Sequence, residues 1–324
     1  MRDHGGNLDS AAALFGGAVE DWLDLSTGIN RVPYPMPPLP ARALTALPDA
    51  AAETRLLAAA RLAFRTEAPM LAVAGAQAAI QLVPRLTPPG RARVLGPTYN
   101  EHAASLRAAG WQVEEVSELA ALEGADLAVL VNPNNPDGRR HPPEALRAHL
   151  PRVGRLLVDE SFGDPLPDLS LTPEAGVPGL LVLRSFGKFY GLAGLRLGFV
   201  LGNAEDIAAL ARMAGPWAVS GPAIAAGTVA LADRDWAQTT TARLEAEGPR
   251  LDALAARRGW RLAGGAHLFR LYDTPDARAA QDQLARARIW SRIFPWSDRL
   301  IRLGLPGGET EWARLDAAFS AGTQ

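Results

Sequence analysis

A chain of 324 residues that is 48% apolar and 21% charged can bury one large core or two unequal ones. Its formal net charge of −2 gives no electrostatic case for nucleic acid or an anionic membrane surface, and no apolar run reaches membrane-spanning length. With no cysteine there are no disulfides or thiolate metal sites, which fits a reducing cytoplasm, and the five histidines form no pair at metal-ligand spacing.

The chain opens with His4-Gly5-Gly6-Asn7, then places Leu8, Ala12 and Phe15 at helical spacing. No basic-then-apolar signal pattern is expected there. Residues 23–30 read as a short strand running into a turn at Gly28, and the proline-rich run 33–40 as an extended connector. Helical spacing returns over 39–47 and 51–64. A strand at 70–74 then meets Gly75-Ala76-Gln77 and a helix to about residue 85. Such a strand–glycine–helix junction leaves first-turn N–H groups open, which favours phosphate, although many α/β chains carry one.

Strands are expected over 92–95, 111–116 and 127–131. Between the first two, Pro97-Thr98-Tyr99-Asn100-Glu101-His102 opens a helix. Asn132-Pro133-Asn134-Asn135-Pro136-Asp137-Gly138 is a turn by its dipeptides alone. Residues 156–160 form a buried strand ending in Asp159 and Glu160, either of which suits a cap or an ion pair. An apolar strand at 180–183 breaks into a Gly-rich loop and recovers as a second apolar run at 195–201. Ser185, Lys188 and Arg196 fall on or beside that excursion. A lone lysine reads as a surface charge, but an ammonium between two buried strands is costly unless it is used. An amine can condense with an aldehyde, while a hydroxyl and a guanidinium suit a phosphate. Helices follow over 204–214, 222–231 and 236 to about 257. Strands then follow over 260–263, 267–272, 289–293 and 300–303, with a last helix through Trp312 and Leu315. Arg292, Arg299 and Arg302 lie on or beside the late strands, where a solvated edge charge is the plain reading of at least one.

The stretch RSFGKFYGLAGLRLGF (184–199) resembles the lysine signature of fold-type I pyridoxal-phosphate enzymes, the aspartate aminotransferase superfamily, and the other motifs keep that family's order over nearly the whole chain. The resemblance implies an α/β fold with a mainly parallel seven-stranded large domain over 41–215 and a small α/β domain from 1–40 and 216–324. It implies pyridoxal 5′-phosphate as cofactor, no metal, and a homodimer. Lys188 would carry the cofactor. Gly75, Ala76, Gln77, Ser185 and Arg196 would hold its phosphate, Tyr99 would stack on the pyridine with His102 behind it, and Asn135 would donate to the phenolic oxygen. Asp159 would pair with the ring nitrogen, so Lys188, Asp159 and Tyr99 are the catalytic set. Three positions depart from the family pattern: Asp137 replaces Thr, Phe162 replaces Tyr, and Leu47 replaces the tyrosine that reaches the partner subunit's phosphate.

The HGGN opening and the PWAVSGPA and RLGLPG segments resemble the threonine-phosphate decarboxylase branch. That branch implies a cytoplasmic enzyme converting O-phospho-L-threonine to (R)-1-aminopropan-2-yl phosphate for cobalamin biosynthesis. His4, Gly28, Asn30, Asn135, Arg302 and Arg292 would meet this small phosphorylated amino acid, with Arg302 on its carboxylate. A histidinol-phosphate aminotransferase using 2-oxoglutarate is the alternative. A non-catalytic cofactor-binding regulatory module is a third, but it usually brings a DNA-binding extension, and the arm here is short and not basic. Residue pattern alone does not separate decarboxylation from transamination. That choice depends on which Cα bond stands perpendicular to the cofactor ring.

Overall fold

The computed structural model describes residues 4–321, which divide into two compact units. The larger contains Tyr34–Asn135 and Arg139–Ala237; the smaller contains the chain up to Pro33, Pro136–Gly138 and the chain from Gln238 onward.

The first elements, α1 (Leu8–Phe15) and β1 (Leu23–Asp24), belong to the smaller unit. The larger unit then contributes α2 (Ala41–Thr45), α3 (Ala50–Phe64), β2 (Met70–Val73), α4 (Ala76–Leu82), β3 (Arg91–Leu95), α5 (Glu101–Ala108), β4 (Gln112–Val116) and β5 (Leu127–Val131). After the 132–138 turn come α6 (Pro143–His149), β6 (Leu156–Asp159), β7 (Leu180–Ser185), α7 (Phe186–Phe189), β8 (Gly198–Leu201), α8 (Ala204–Ala214) and α9 (Gly221–Ala232). The division falls within α10 (Arg234–Arg257), after Ala237. The smaller unit ends with β9 (Arg261–Ala266), β10 (Phe269–Asp273), α11 (Ala277–Arg286), β11 (Ile289–Trp290), β12 (Arg292–Phe294), β13 (Ser297–Gly304) and α12 (Glu309–Ser320).

The larger unit is built on a seven-stranded sheet in the order β2-β8-β7-β6-β5-β3-β4. Every pairing is parallel except those of β8, which runs antiparallel to β2 and β7. β5, β6 and β8 are buried along their whole length, as strands with both faces covered must be. Val94, Val129, Leu157, Leu183 and Val200 form one core with Ile80 and Leu106 from the covering helices. In the smaller unit β9, β10, β12 and β13 form an antiparallel sheet, and β1 pairs with β11 in parallel. Trp22, Phe15 and Trp290 meet edge-on or tilted with centroids 6.1–6.3 Å apart, seating α1 in this unit. Among the described residues no helix is long and apolar enough to cross a membrane.

The mainly parallel seven-stranded sheet and the smaller unit drawn from both chain ends match the expected α/β architecture. The larger unit reaches from Tyr34 to Ala237, wider than 41–215. Its Tyr34 N–H donates to Tyr190 O at 2.9 Å, and the Tyr34 ring meets Trp236 at 5.2 Å. Lys188 lies on a one-turn helix where a Gly-rich loop was expected. The run at 195–201 becomes strand only from Gly198, because Ala193–Leu195 coils into a 3₁₀ turn and Arg196 takes a left-handed conformation. The short strand running into a turn at 23–30 is β1, two residues long and followed by a bend. Helices α6 and α11 had no sequence expectation. The inner face of α11 is mostly alanine (Ala277, Ala280 and Ala285 with Leu284), a weak apolar signal.

Candidate active site

The lysine region grows out of β7. Ser185, its last residue, pairs with Gly198 at the start of β8, and the turn of α7 then presents Lys188. Lys188 Nζ stands 4.9 Å from the centre of the Phe162 ring. Gly75 caps α4 with φ +77, and a Cβ built on it would lie 2.7 Å from Arg196 Nη2, so the guanidinium lies directly against this glycine. A Cβ on Gly198 would lie 2.4 Å from the Ala76 nitrogen, so the start of α4 rests on the start of β8. Gly75, Ala76, Ser185 and Arg196 therefore share one corner. It offers first-turn N–H groups, a hydroxyl and a guanidinium, a donor set suited to a phosphate.

Gln77 joins this corner through its main chain only. Its Oε1 accepts from the Tyr99 hydroxyl at 3.3 Å and its Nε2 donates to Glu101 at 3.2 Å, so the side chain orients the ring of Tyr99. Tyr99 in turn meets His102 edge-on at 6.1 Å. His102 Nε2 reaches Asp159 Oδ2 at 2.9 Å, and the Ser161 N–H donates to Asp159 Oδ1 at 2.9 Å. Asp159 is 3% exposed. Burial pushes its carboxyl up, but the bonds from His102 and Ser161 outweigh that and hold it below the usual carboxylate range. The result is an ionised carboxylate fixed in a buried place. Because a carboxylate only accepts, Nε2 of His102 carries the donated proton.

Asn132 and Asn134 hold the turn that precedes Asn135. Asn132 exchanges two bonds with His141, at 2.9 and 3.0 Å. Asn134 accepts from Thr98 Oγ1 at 2.6 Å and donates to Pro97 O at 3.0 Å, tying half-buried Asn135 to the segment that carries Tyr99. The acid beside Asp159 is the ion-pair partner that its position allowed. Glu160 accepts from Arg184 at 3.0 Å and from the Leu171 N–H at 2.7 Å, and Arg184 also donates to Asp164 at 2.8 Å. One buried guanidinium thus grips both ends of the loop that carries Phe162, while burial raises the Glu160 and Asp164 carboxyls against its pull. Arg184 opens the lysine motif but was given no role there, Asp164 carried no motif, and sequence reasoning missed their pairing.

The expected substrate residues, apart from Asn135, lie in the smaller unit. Arg302 on β13 is 6% exposed, stacks 5.1 Å from the Phe269 ring and donates from Nη2 to Ser26 O at 2.6 Å. Arg292 on β12 pairs with Arg302 in register, so two guanidinium side chains leave one face of the sheet side by side. Burial first, and Arg292 second, push Arg302 down to about 9. It is still a cation at neutral pH, but one that gains from an anion. Arg299 leaves the strand in the other direction, is bound at 2.8 Å to Asp273 and is largely solvated, so it is the plain edge charge. Asn30 is buried with Oδ1 held by Arg243 at 2.6 Å and the Val32 N–H at 3.0 Å. Gly28 is buried and His4 exposed.

The sequence model of aminotransferase class I and II matches residues 39–311. The chain belongs to that family. Over 326 aligned residues it is 46% identical to a threonine-phosphate decarboxylase of Pseudomonas aeruginosa, covering 98% of this chain and 97% of that one. A second threonine-phosphate decarboxylase, from a Sinorhizobium species, is 44% identical across 93% of this chain and 92% of its own. Among solved structures, the histidinol-phosphate aminotransferase of Sinorhizobium meliloti in complex with pyridoxal-5′-phosphate superposes with a TM-score of 0.80 at 23% identity, covering 98% of this chain and 94% of that one. That likeness bears on the fold.

Proposed function

We propose that this protein is a pyridoxal-phosphate-dependent decarboxylase that converts O-phospho-L-threonine to (R)-1-aminopropan-2-yl phosphate and CO2, a step of cobalamin biosynthesis. The observation that carries the reading is the similarity to two threonine-phosphate decarboxylases over more than nine-tenths of the chain.

The larger unit fits the cofactor by the chemistry of its donors. The phosphate belongs at the corner of Gly75, Ala76, Gln77 N–H, Ser185 and Arg196, where a side chain on residue 75 would meet the guanidinium. Tyr99 supplies an aromatic face held in place by Gln77. Asn135 would donate to the phenolic oxygen. Asp159, kept ionised by His102 and Ser161, would pair with the ring nitrogen and favour its protonated form. Bound there, pyridoxal 5′-phosphate supplies an electron sink for the pair left at Cα when the carboxylate departs. Lys188 would hold the cofactor through its Nζ amine, and the same amine would deliver a proton to the substrate Cα. Phe162 beside Nζ is an apolar, π-faced neighbour in place of a phenol. Arg302, held by Ser26 O and the Phe269 ring, binds the substrate carboxylate, with Gly28 lining its place. His4, Asn30 and Arg292 take the substrate phosphate. A homodimer belongs to the same reading: Leu44 and Leu47 stand 71% and 64% exposed beside an apolar groove of about 420 Å³.

The test is a product assay on cofactor-loaded protein with O-phospho-L-threonine and no keto acid. CO2 released together with aminopropanol phosphate is the expected result. Glutamate formed from histidinol phosphate and 2-oxoglutarate, with no CO2, would move the chain to the aminotransferase branch.

A further inference from the structure

One buried serine in the smaller unit joins three separate stretches of chain. Ser26 is fully buried. Its hydroxyl accepts the Gly6 N–H at 2.7 Å and donates to Asp24 Oδ1 at 2.6 Å. The directions are fixed by chemistry, since an amide only donates and a carboxylate only accepts. Asp24 Oδ1 also accepts the Ser26 N–H at 2.9 Å, so the carboxylate holds the hydroxyl in the one rotor that leaves a lone pair facing Gly6. The Ser26 carbonyl, at the same point, accepts Arg302 Nη2 at 2.6 Å. Gly5 lies flat on this carbonyl. A Cβ there would stand 2.4 Å from Ser26 O, a clash with main chain that cannot yield, so the first glycine of HGGN is explained by contact with Ser26.

We propose that Ser26 is a positioning residue that locks the His4–Asn7 arm to the Arg302 guanidinium, with Asp24 orienting its hydroxyl, so that arm and guanidinium meet an anionic ligand as one preorganised unit. The inference rests on the proposed reading in taking that ligand to be the phosphorylated amino-acid substrate. Ser26 itself touches no reacting atom. Its effect runs through the arm on one side and Arg302 on the other. An arm tethered at Gly6 by the Ser26 hydroxyl samples its bound position without ligand. Without the tether, binding must order it first.

Hydrogen exchange of the cofactor-loaded protein, followed by mass spectrometry, tests the lock without turnover. In Ser26→Ala the amides of residues 4–8 exchange at least about tenfold faster, the loss expected when a hydrogen bond worth about 1.4 kcal/mol is removed. Ser26→Cys, close in size but a weak acceptor, gives the same direction if the alanine variant fails to fold. In steady state Ser26→Ala raises KM for O-phospho-L-threonine about tenfold with kcat within twofold. Combined with His4→Ala it is no worse than the weaker single variant, because both act through one arm. Unchanged exchange at residues 4–8, or KM effects that multiply fully in the double variant, would overturn the lock. A wild-type protein that released no CO2 would refute the reaction and leave the lock to be judged by exchange alone.

Discussion

Replacing His102 with leucine tests how Asp159 is held. The carboxylate is 3% exposed and has two donors, His102 Nε2 at 2.9 Å and the Ser161 N–H at 2.9 Å. Removing the first leaves burial, the largest influence on this group, opposed by Ser161 alone. A bond to a buried charge contributes about 1.5–3 kcal/mol, and breaking a buried pair costs about 3–5 kcal/mol, so a loss of about 3 kcal/mol at pH 7 is expected. The sign with pH follows from the direction of the shift. In the wild type the folded-state value lies below the unfolded one (about 3.9), so the contribution is present at neutral pH and is lost as pH falls through the folded value. In the variant burial raises the folded value above the unfolded one, so its penalty is full at neutral pH and fades toward pH 4. The gap between the two proteins is therefore widest near pH 7 and narrows on acidification. Urea midpoints at pH 7 and pH 4.5, with m unchanged, measure it. A gap that did not change with pH would mean that leucine merely packs badly, and would refute the electrostatic account. His102→Gln, whose amide can donate, should recover part of the loss.

Three further outcomes are expected. Lys188→Ala keeps the fold, read by circular dichroism, and loses all covalent cofactor; a variant that still traps it on borohydride reduction would exclude Lys188. Gly75→Ala forces a side chain into φ +77 and against Arg196 Nη2. Strain of about 1–2 kcal/mol plus the displaced guanidinium should weaken cofactor retention at least about tenfold by equilibrium dialysis. Arg302→Met removes a buried guanidinium that donates to Ser26 O and stacks on Phe269, so it should raise KM for O-phospho-L-threonine at least about a hundredfold in steady state. An unchanged KM would exclude Arg302 from binding the substrate carboxylate.

Much of the larger unit was legible because its signals are local. Continuous apolar runs such as Leu127–Val131 mark strands covered on both faces, and Gly75 between strand and helix marks an anion corner wherever the strands are placed. Lys188 was singled out as an ammonium that needed a reason between two apolar runs. Tyr99, Asn135 and Asp159 were singled out through family resemblance, since each has an equally good structural reading alone. Helices α6 and α11 stayed hidden because the first is only seven residues long and the second is built mostly of small and polar residues, so neither shows a strong apolar run.

Residue order alone set out the kinds of groups and their sequence along the chain: the α/β alternation, the lysine between apolar strands, the acid at a strand end and the late arginines. Local propensity and hydrophobic period act over a few residues, and these features need no more than that. The pairing of those groups came with the folded chain. It gave Asp159 to His102, 57 residues away; Arg184 to Glu160 and Asp164; Arg302 to Ser26, 276 residues away; and Arg299 to Asp273 at the solvent. An arginine or an acid carries the same charge wherever it stands. Whether that charge is ionised, compensated or waiting for a ligand depends on burial and on partners that distant segments bring to it, and no local pattern encodes those.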